Sequence, residues 1–102
     1  MEPAREAVIR LEGHFDRVAA LRLRNQTVEV EPRTVLDFSH VETFDDSTLS
    51  LLTVHVVLLR RSGHEVALLG LREHQLRMLH HFGVELAADG SVHVQSELPF
   101  SD

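Results

Sequence analysis

The sequence predicts an α/β domain, a small, mostly parallel central sheet with its helices mainly on one face. Two observations carry this. Short apolar segments bounded by turn residues alternate with segments of helical period along the chain. One long segment, Phe44 to Gly63, bears helix start and stop signals at its two ends. Strand–helix alternation implies parallel pairing through right-handed crossovers.

Taken in order, residues 1–6 are expected to be a flexible lead-in. Ala7 to Glu12 reads as the first strand, ended by Gly13, with a turn over Gly13-His14-Phe15-Asp16. Asp16 can cap a helix over Arg17 to Asn25, with Val18, Ala19, Leu21 and Leu23 as its apolar contacts and Arg17, Arg22 and Arg24 as its solvated face. Thr27 to Glu31 is expected to be a short edge strand or a loop, closed by Pro32. Thr34 to Phe38 is the second strand, and Ser39 to Thr43 is expected to be a linker. Glu65 to Gly70 has the continuous apolar run of a buried parallel strand. Arg72 to Phe82 is the third helix, with Leu76, Leu79 and Phe82 as its core stripe and Gly83 as its stop. Asp89-Gly90 is a turn before a last short strand, Val92 to Val94. Residues 95–102 are expected to be a flexible end, and the whole of 1–102 one domain.

Composition removes several classes of function. Of 102 residues, 16 are acidic against 10 arginines, and the formal net charge is −6. That balance disfavours nucleic acid and anionic membrane surfaces, both of which select basic faces. The absence of cysteine removes disulfides, thiolate metal sites and cysteine nucleophiles. No apolar run reaches bilayer length and the N-terminus lacks a signal core, so a cytoplasmic location without membrane insertion is expected.

The central segment holds the candidate site. Asp45, Asp46 and Ser47 are N-cap residue types, Arg60 and Arg61 suit the negative end of the helix dipole, and Gly63 suits a left-handed stop. Leu49, Leu52, Thr53, Val56 and Leu59 form one buried stripe at helical spacing. Leu51, Val54, Val57 and Leu58 are apolar too, yet point elsewhere. A strand over Thr53 to Val57 is rejected, because the run is too long and lacks period-two alternation. A helix buried on all sides is the bland account, but a chain of this size has little core to surround one. These four residues are therefore expected to meet a partner protein.

The order and spacing of these elements resemble the STAS domain family, the sulphate-transporter and anti-sigma-factor-antagonist fold. The resemblance covers about Val8 to Val84. It rests on the strand Val35-Leu36-Asp37-Phe38, a short linker ending in Phe44, and then Asp45-Asp46-Ser47-Thr48-Leu49, where the family carries Asp-Ser-Ser-Gly-Leu or Asp-Ser-Thr-Gly-Leu. Gly13-His14-Phe15-Asp16 is similar to the family's Gly-x-Leu-Asp, and Glu65 through Gly83 to its third strand and last helix. The resemblance implies that Asp45 takes the motif's leading aspartate, Leu49 its buried leucine, and Ser47 the hydroxyl that partner kinases phosphorylate in anti-sigma-factor antagonists. Asp46 stands where serine is common and Thr48 where glycine is usual. A register slipped by one would make Thr48 the acceptor. Asp16, Asp37, Asp45 and Asp46 form the expected switch region. The implied partners are an anti-sigma factor or a serine-kinase-like protein, with a homodimer as a further expectation. An unphosphorylated STAS subunit of a stress-signalling assembly, or of a transporter's cytoplasmic ATPase, is the alternative.

Phosphate adds close to two negative charges and three acceptors, which free N–H groups at a helix start can cradle. Without the fold pattern, Asp-Asp-Ser-Thr would be read simply as a helix cap. Eight histidines offer no metal spacing: His80 and His81 face apart and His74 is six residues away, so surface histidine is the better reading and no metal or cofactor is expected. His55 lies in the central helix beside the expected partner face. Catalysis has little support, because no Gly-x-Ser-x-Gly elbow is present and a serine among carboxylates lacks an activating base. Magnesium on Asp37, Asp45 and Asp46 is the weakest of these readings.

Overall fold

The computed structural model describes residues 6–26 and 33–94. Its elements are β1 (Glu6–Phe15), α1 (Arg17–Gln26), β2 (Arg33–Phe44), a 3-10 turn (Asp46–Thr48), α2 (Leu49–Arg61), β3 (Glu65–Leu69), α3 (Glu73–His81), β4 (Val84–Leu86) and β5 (Val92–Val94). The strands β1, β2 and β3 pair in parallel in that order. The other two form a separate antiparallel hairpin, tied to β3 by the Ala67–Ser91 bridge and by a 2.8 Å hydrogen bond from the Leu68 N–H to the Gly90 carbonyl. No described helix is long and apolar enough to cross a membrane. The expected strand or loop at Thr27 to Glu31, and both expected flexible ends apart from Glu6, lie outside the described residues. Glu6 itself opens β1 and reaches Arg33 at 3.4 Å.

All three helices contribute to one core on one face of the sheet. Leu36 and Phe38 of β2 and Val66 and Leu68 of β3 meet Ala20 and Leu23 of α1, Leu49, Leu52, Val56 and Leu59 of α2, and Leu79 of α3. The α2 stripe is buried as its spacing predicts, and Thr53 is carried inside by donating its hydroxyl to the Leu49 carbonyl at 2.7 Å. Truncating a leucine so enclosed costs about 2–5 kcal/mol in comparable cores. The helices α1 and α3 bury less than expected. Ala20 and Leu23 alone are buried in α1, leaving Val18 and Leu21 exposed. Leu79 is the one buried member of the expected α3 stripe, since Leu76 and Phe82 are exposed.

The main departure lies at the carboxyl end of the sheet. The strand β1 runs through Gly13 to Phe15, and β2 runs through the expected linker to Phe44. The two stay paired across register shifts between Arg10 and Glu12 and between Gly13 and His14. At the second shift Gly13 has a φ of 71°, which accommodates the bulge without a Cβ penalty. These extensions bring Phe15 and Phe44 against Phe38, with Phe15 and Phe38 edge to face and ring centroids 4.9–5.7 Å apart in the cluster.

Two tests follow from this packing. Gly70 has a φ of 82°, and an added Cβ would lie 2.4 Å from the Ser39 nitrogen, whereas a Cβ on Gly13 would meet nothing within 4 Å. Gly70→Ala is expected to lower stability by more than about 2 kcal/mol, and Gly13→Ala by about 1 kcal/mol, in urea unfolding. Equal losses would contradict the close approach of β2 to Gly70. His55 is half-buried, and its pKa is lowered first by burial and then by the Arg24 charge. Below pH 6.5, the ordinary value, an unfolded His55 takes up a proton that the folded one refuses, so its contribution to stability falls with pH. The stability advantage of wild type over His55→Gln is therefore expected to shrink as pH drops below 6.5; an advantage that grows would overturn the assignment.

Candidate functional site

The head of α2 is built by Asp45, the first residue beyond β2. Its N–H donates to the Phe15 carbonyl at 2.9 Å, which holds it against the end of β1. Its carbonyl accepts from the Thr48 N–H at 2.9 Å and from the Thr48 hydroxyl at 2.7 Å. Its carboxylate accepts from the Ser47 N–H at 3.1 Å and from the Ser47 hydroxyl at 2.7 Å. The two Ser47 hydrogen bonds, hydroxyl first and backbone second, hold the Asp45 carboxyl below the usual carboxylate range. The same turn sorts the two candidate hydroxyls: Thr48 is 1% exposed and Ser47 is exposed.

Asp46 faces α3 instead. Its carboxylate accepts from the Gln75 amide at 3.2 Å and lies 2.9 Å from His74 Nε2. Gln75 is buried, and its amide oxygen accepts from the Arg72 N–H at 2.9 Å, so one side chain caps α3 and ties it to the head of α2. His74, Gln75 and Arg72 were not singled out from the sequence as part of this site. The signal that was available is a glutamine three residues after the helix-entry residue Arg72, the spacing of a reciprocal cap. Beside this contact lies an open cleft of about 380 Å³, lined by Phe38, Thr43, Asp46, Gly70, Arg72 and His74, among others.

The expected switch region is therefore only partly assembled. Asp16 stands at the start of α1, where Oδ1 accepts from the Ala19 N–H at 3.0 Å, next to Phe15 and so at the same end of the sheet as Asp45. Asp37 does not belong to it. Because β2 continues to Phe44, Asp37 lies mid-strand, roughly 25 Å of extended chain before Asp45. Its carboxylate is occupied by the Ser39 hydroxyl at 2.6 Å and the Ser39 N–H at 2.9 Å, and those bonds lower its pKa. The magnesium grouping of Asp37, Asp45 and Asp46 falls with this separation.

The free cradle expected at the helix start is also smaller. The N–H groups of Ser47, Thr48 and Leu49 are already accepted, by the Asp45 carboxylate, the Asp45 carbonyl and the Asp46 carbonyl. Chemically, Ser47 presents an accessible hydroxyl bonded to an ionised carboxylate of lowered pKa, which is a poor general base. The arrangement suits modification from outside rather than nucleophilic attack by the domain itself.

Along α2, Leu51, Val54 and Leu58 are exposed, with Val54 at 58% and Leu58 at 51%. Val57, expected beside them, is half-buried and packs against the core, because it projects between the sheet-facing stripe and the open face.

A family model described as "Mlab, STAS domain" matches residues 2–88. No curated protein matches the chain. Among solved structures, the STAS domain of a SulP transporter from Vibrio cholerae is 21% identical over 81% of this chain and 67% of its own, with a TM-score of 0.60. The anti-sigma factor antagonist SpoIIAA in its unphosphorylated form is 22% identical over 81% and 79%, also at 0.60. A sulfate transporter family protein from Wolinella succinogenes is 18% identical over 76% and 66%, at 0.57. At these identities the structures speak for the fold, and the family model for membership. With a parallel sheet, three helices and a match over most of its length, the chain belongs to the STAS domain family.

Proposed function

We propose that this domain is a regulatory protein-binding module of the anti-sigma-factor-antagonist kind. It docks a partner protein on the outward face of α2 and is released by phosphorylation of Ser47. One observation carries the reading: the exposed Ser47 hydroxyl sits at the head of the same helix that exposes Leu51, Val54 and Leu58. Ser47 is a better acceptor than Thr48, whose hydroxyl is buried and bonded to the Asp45 carbonyl. The partner expected for such a module is an anti-sigma factor with serine-kinase-like chemistry.

The switch follows from the geometry at Asp45. Phosphorylation removes the proton that Ser47 shares with the Asp45 carboxylate and puts close to two negative charges beside it. Like charges at hydrogen-bond distance repel, so the phosphate disturbs the first turn of α2 and adds unpaired charge where an interface would close. A second reading, an unphosphorylated subunit serving a transporter, draws on the two transporter-associated structures among those compared.

The test is tandem mass spectrometry after incubation with ATP and the cognate serine-kinase-like partner, together with binding measurements on that partner. Phosphate is expected on Ser47; Ser47→Ala should bind as wild type does, and Ser47→Asp at least about tenfold more weakly, equivalent to about 1.4 kcal/mol. Phosphate on neither hydroxyl, with Ser47→Asp binding normally, would replace this reading with the transporter subunit.

A further inference from the structure

The outward surface of α2 continues onto α1. The helices α1 and α2 touch each other over a shared core of Ala20 and Leu23 from one and Leu52 and Val56 from the other. Arg24 lies near enough for its charge to act on His55, which puts these two residues on the sides where the helices meet. Leu21 lies three residues before Arg24; Leu51 lies four before His55 and Leu58 three after it. Residues three or four apart share a helix face. Leu21 therefore flanks the α1–α2 seam from one side, and Leu51 and Leu58 flank it from the other. Val18 and Val54 extend the apolar strip outward, and all five residues are exposed. In a domain this small such a strip is a marker of binding rather than of folding.

Charge says what would cover it. The chain has 16 acids and a net charge of −6, yet α1 and α2 contain no acid. They hold five of the ten arginines: Arg17, Arg22, Arg24, Arg60 and Arg61. Arg17 and Arg22 are exposed and make no ion pair with a described residue. Arg60 is turned away from this face and donates to the His64 carbonyl at 3.2 Å, so the rim rests on Arg17 and Arg22. An apolar seam with exposed arginines beside it and no acid on either helix is complementary to one occupant in particular. The geometry points to docking of an acidic amphipathic helix of a partner protein along the α1–α2 seam, its apolar stripe on Leu21, Leu51, Val54 and Leu58 and its acids on the arginine rim. This rests on reading α2 as the docking face, and it names the partner's chemistry. It also gives the switch its sign, because a phosphate at Ser47 adds negative charge at the head of a surface that selects an acidic segment.

The experiment is a titration of the isotope-labelled domain, followed by amide NMR, with two stapled helical peptides. Both carry the same leucine stripe; one has glutamate at its flanking positions and the other lysine. The glutamate peptide is expected to move the amides of Val18, Leu21, Leu51, Val54 and Leu58, to bind at least about tenfold tighter than the lysine peptide, and to weaken as salt is raised. The double variant Arg17→Glu, Arg22→Glu should keep a dispersed spectrum, since both side chains are exposed, and should invert the preference. Equal binding of the two peptides, no binding, or shifts confined to other surfaces would overturn the inference. So would the same amides moving when the unliganded domain is diluted, which would assign the seam to a second copy. Ser47→Asp separates this inference from the switch. Glutamate-peptide binding unchanged by Ser47→Asp keeps the seam and removes the phosphoswitch. Kinase modification of Ser47 without a glutamate preference keeps the switch and removes the seam.

Discussion

Asp45 turns the chain from sheet to helix, and every polar group it owns takes part. Its N–H is held by the end of β1, its carbonyl by Thr48, and its carboxylate by Ser47. A hydrogen bond to a charged group is stronger than a neutral one, so this residue helps to fix where α2 begins. From that fixed start the 3.6-residue period does the rest. Leu49, Leu52, Val56 and Leu59 turn to the sheet, and Leu51, Val54 and Leu58 turn to solvent. The exposed serine and the exposed apolar strip are thus two consequences of one capped turn.

In the proposed switch, the same turn is where a small electrostatic change would be read. Ser47 lies at the junction of β1, β2 and α2, and Asp46 beside it links the junction to α3 through Gln75 and His74. The Asp45 carboxylate and the Asp45 and Asp46 carbonyls already take up the local donors. A third anion therefore has no ready partner among the N–H groups of the first turn, and the strain it introduces falls on a helix whose outer face is open. The cap and the proposed docking face occupy one helix, so the proposed switch needs no long relay between them.

Much of this was legible from the sequence, and the failures have physical causes. The alternation of elements, the buried stripe of α2 and the cap at Asp45 all follow from periodicity and hydrogen-bonding chemistry that act locally. The ends of β1 and β2 did not: β1 keeps its alternation to Phe15 but runs through Gly13, which reads as a stop, and in β2 two register shifts break the period-two pattern on which strand reading depends. Ser39 and His40, and again Glu42 and Thr43, are exposed in succession. With Ser39 to Thr43 read as a linker, Asp37 stands near the end of its strand, whereas β2 runs on to Phe44. The misjudged stripes of α1 and α3 have another origin: in helices this short, apolar residues off the core face look the same in sequence as those on it. The Asp46–Gln75 tie joins residues 29 apart in the chain and leaves no local pattern at all.

The central claim is that Asp45 places Ser47 outside and Thr48 inside the fold. It is tested most directly by incorporating phosphoserine at position 47 in one sample and phosphothreonine at position 48 in another, and comparing their thermal unfolding and amide NMR spectra. Phosphoserine 47 should leave the core resonances in place and perturb the first turn of α2. Phosphothreonine 48 should unfold the domain or lower its melting temperature steeply, because a buried, hydrogen-bonded hydroxyl has been replaced by a charge. A domain that tolerates both equally, or that unfolds with phosphate at 47, would contradict the account.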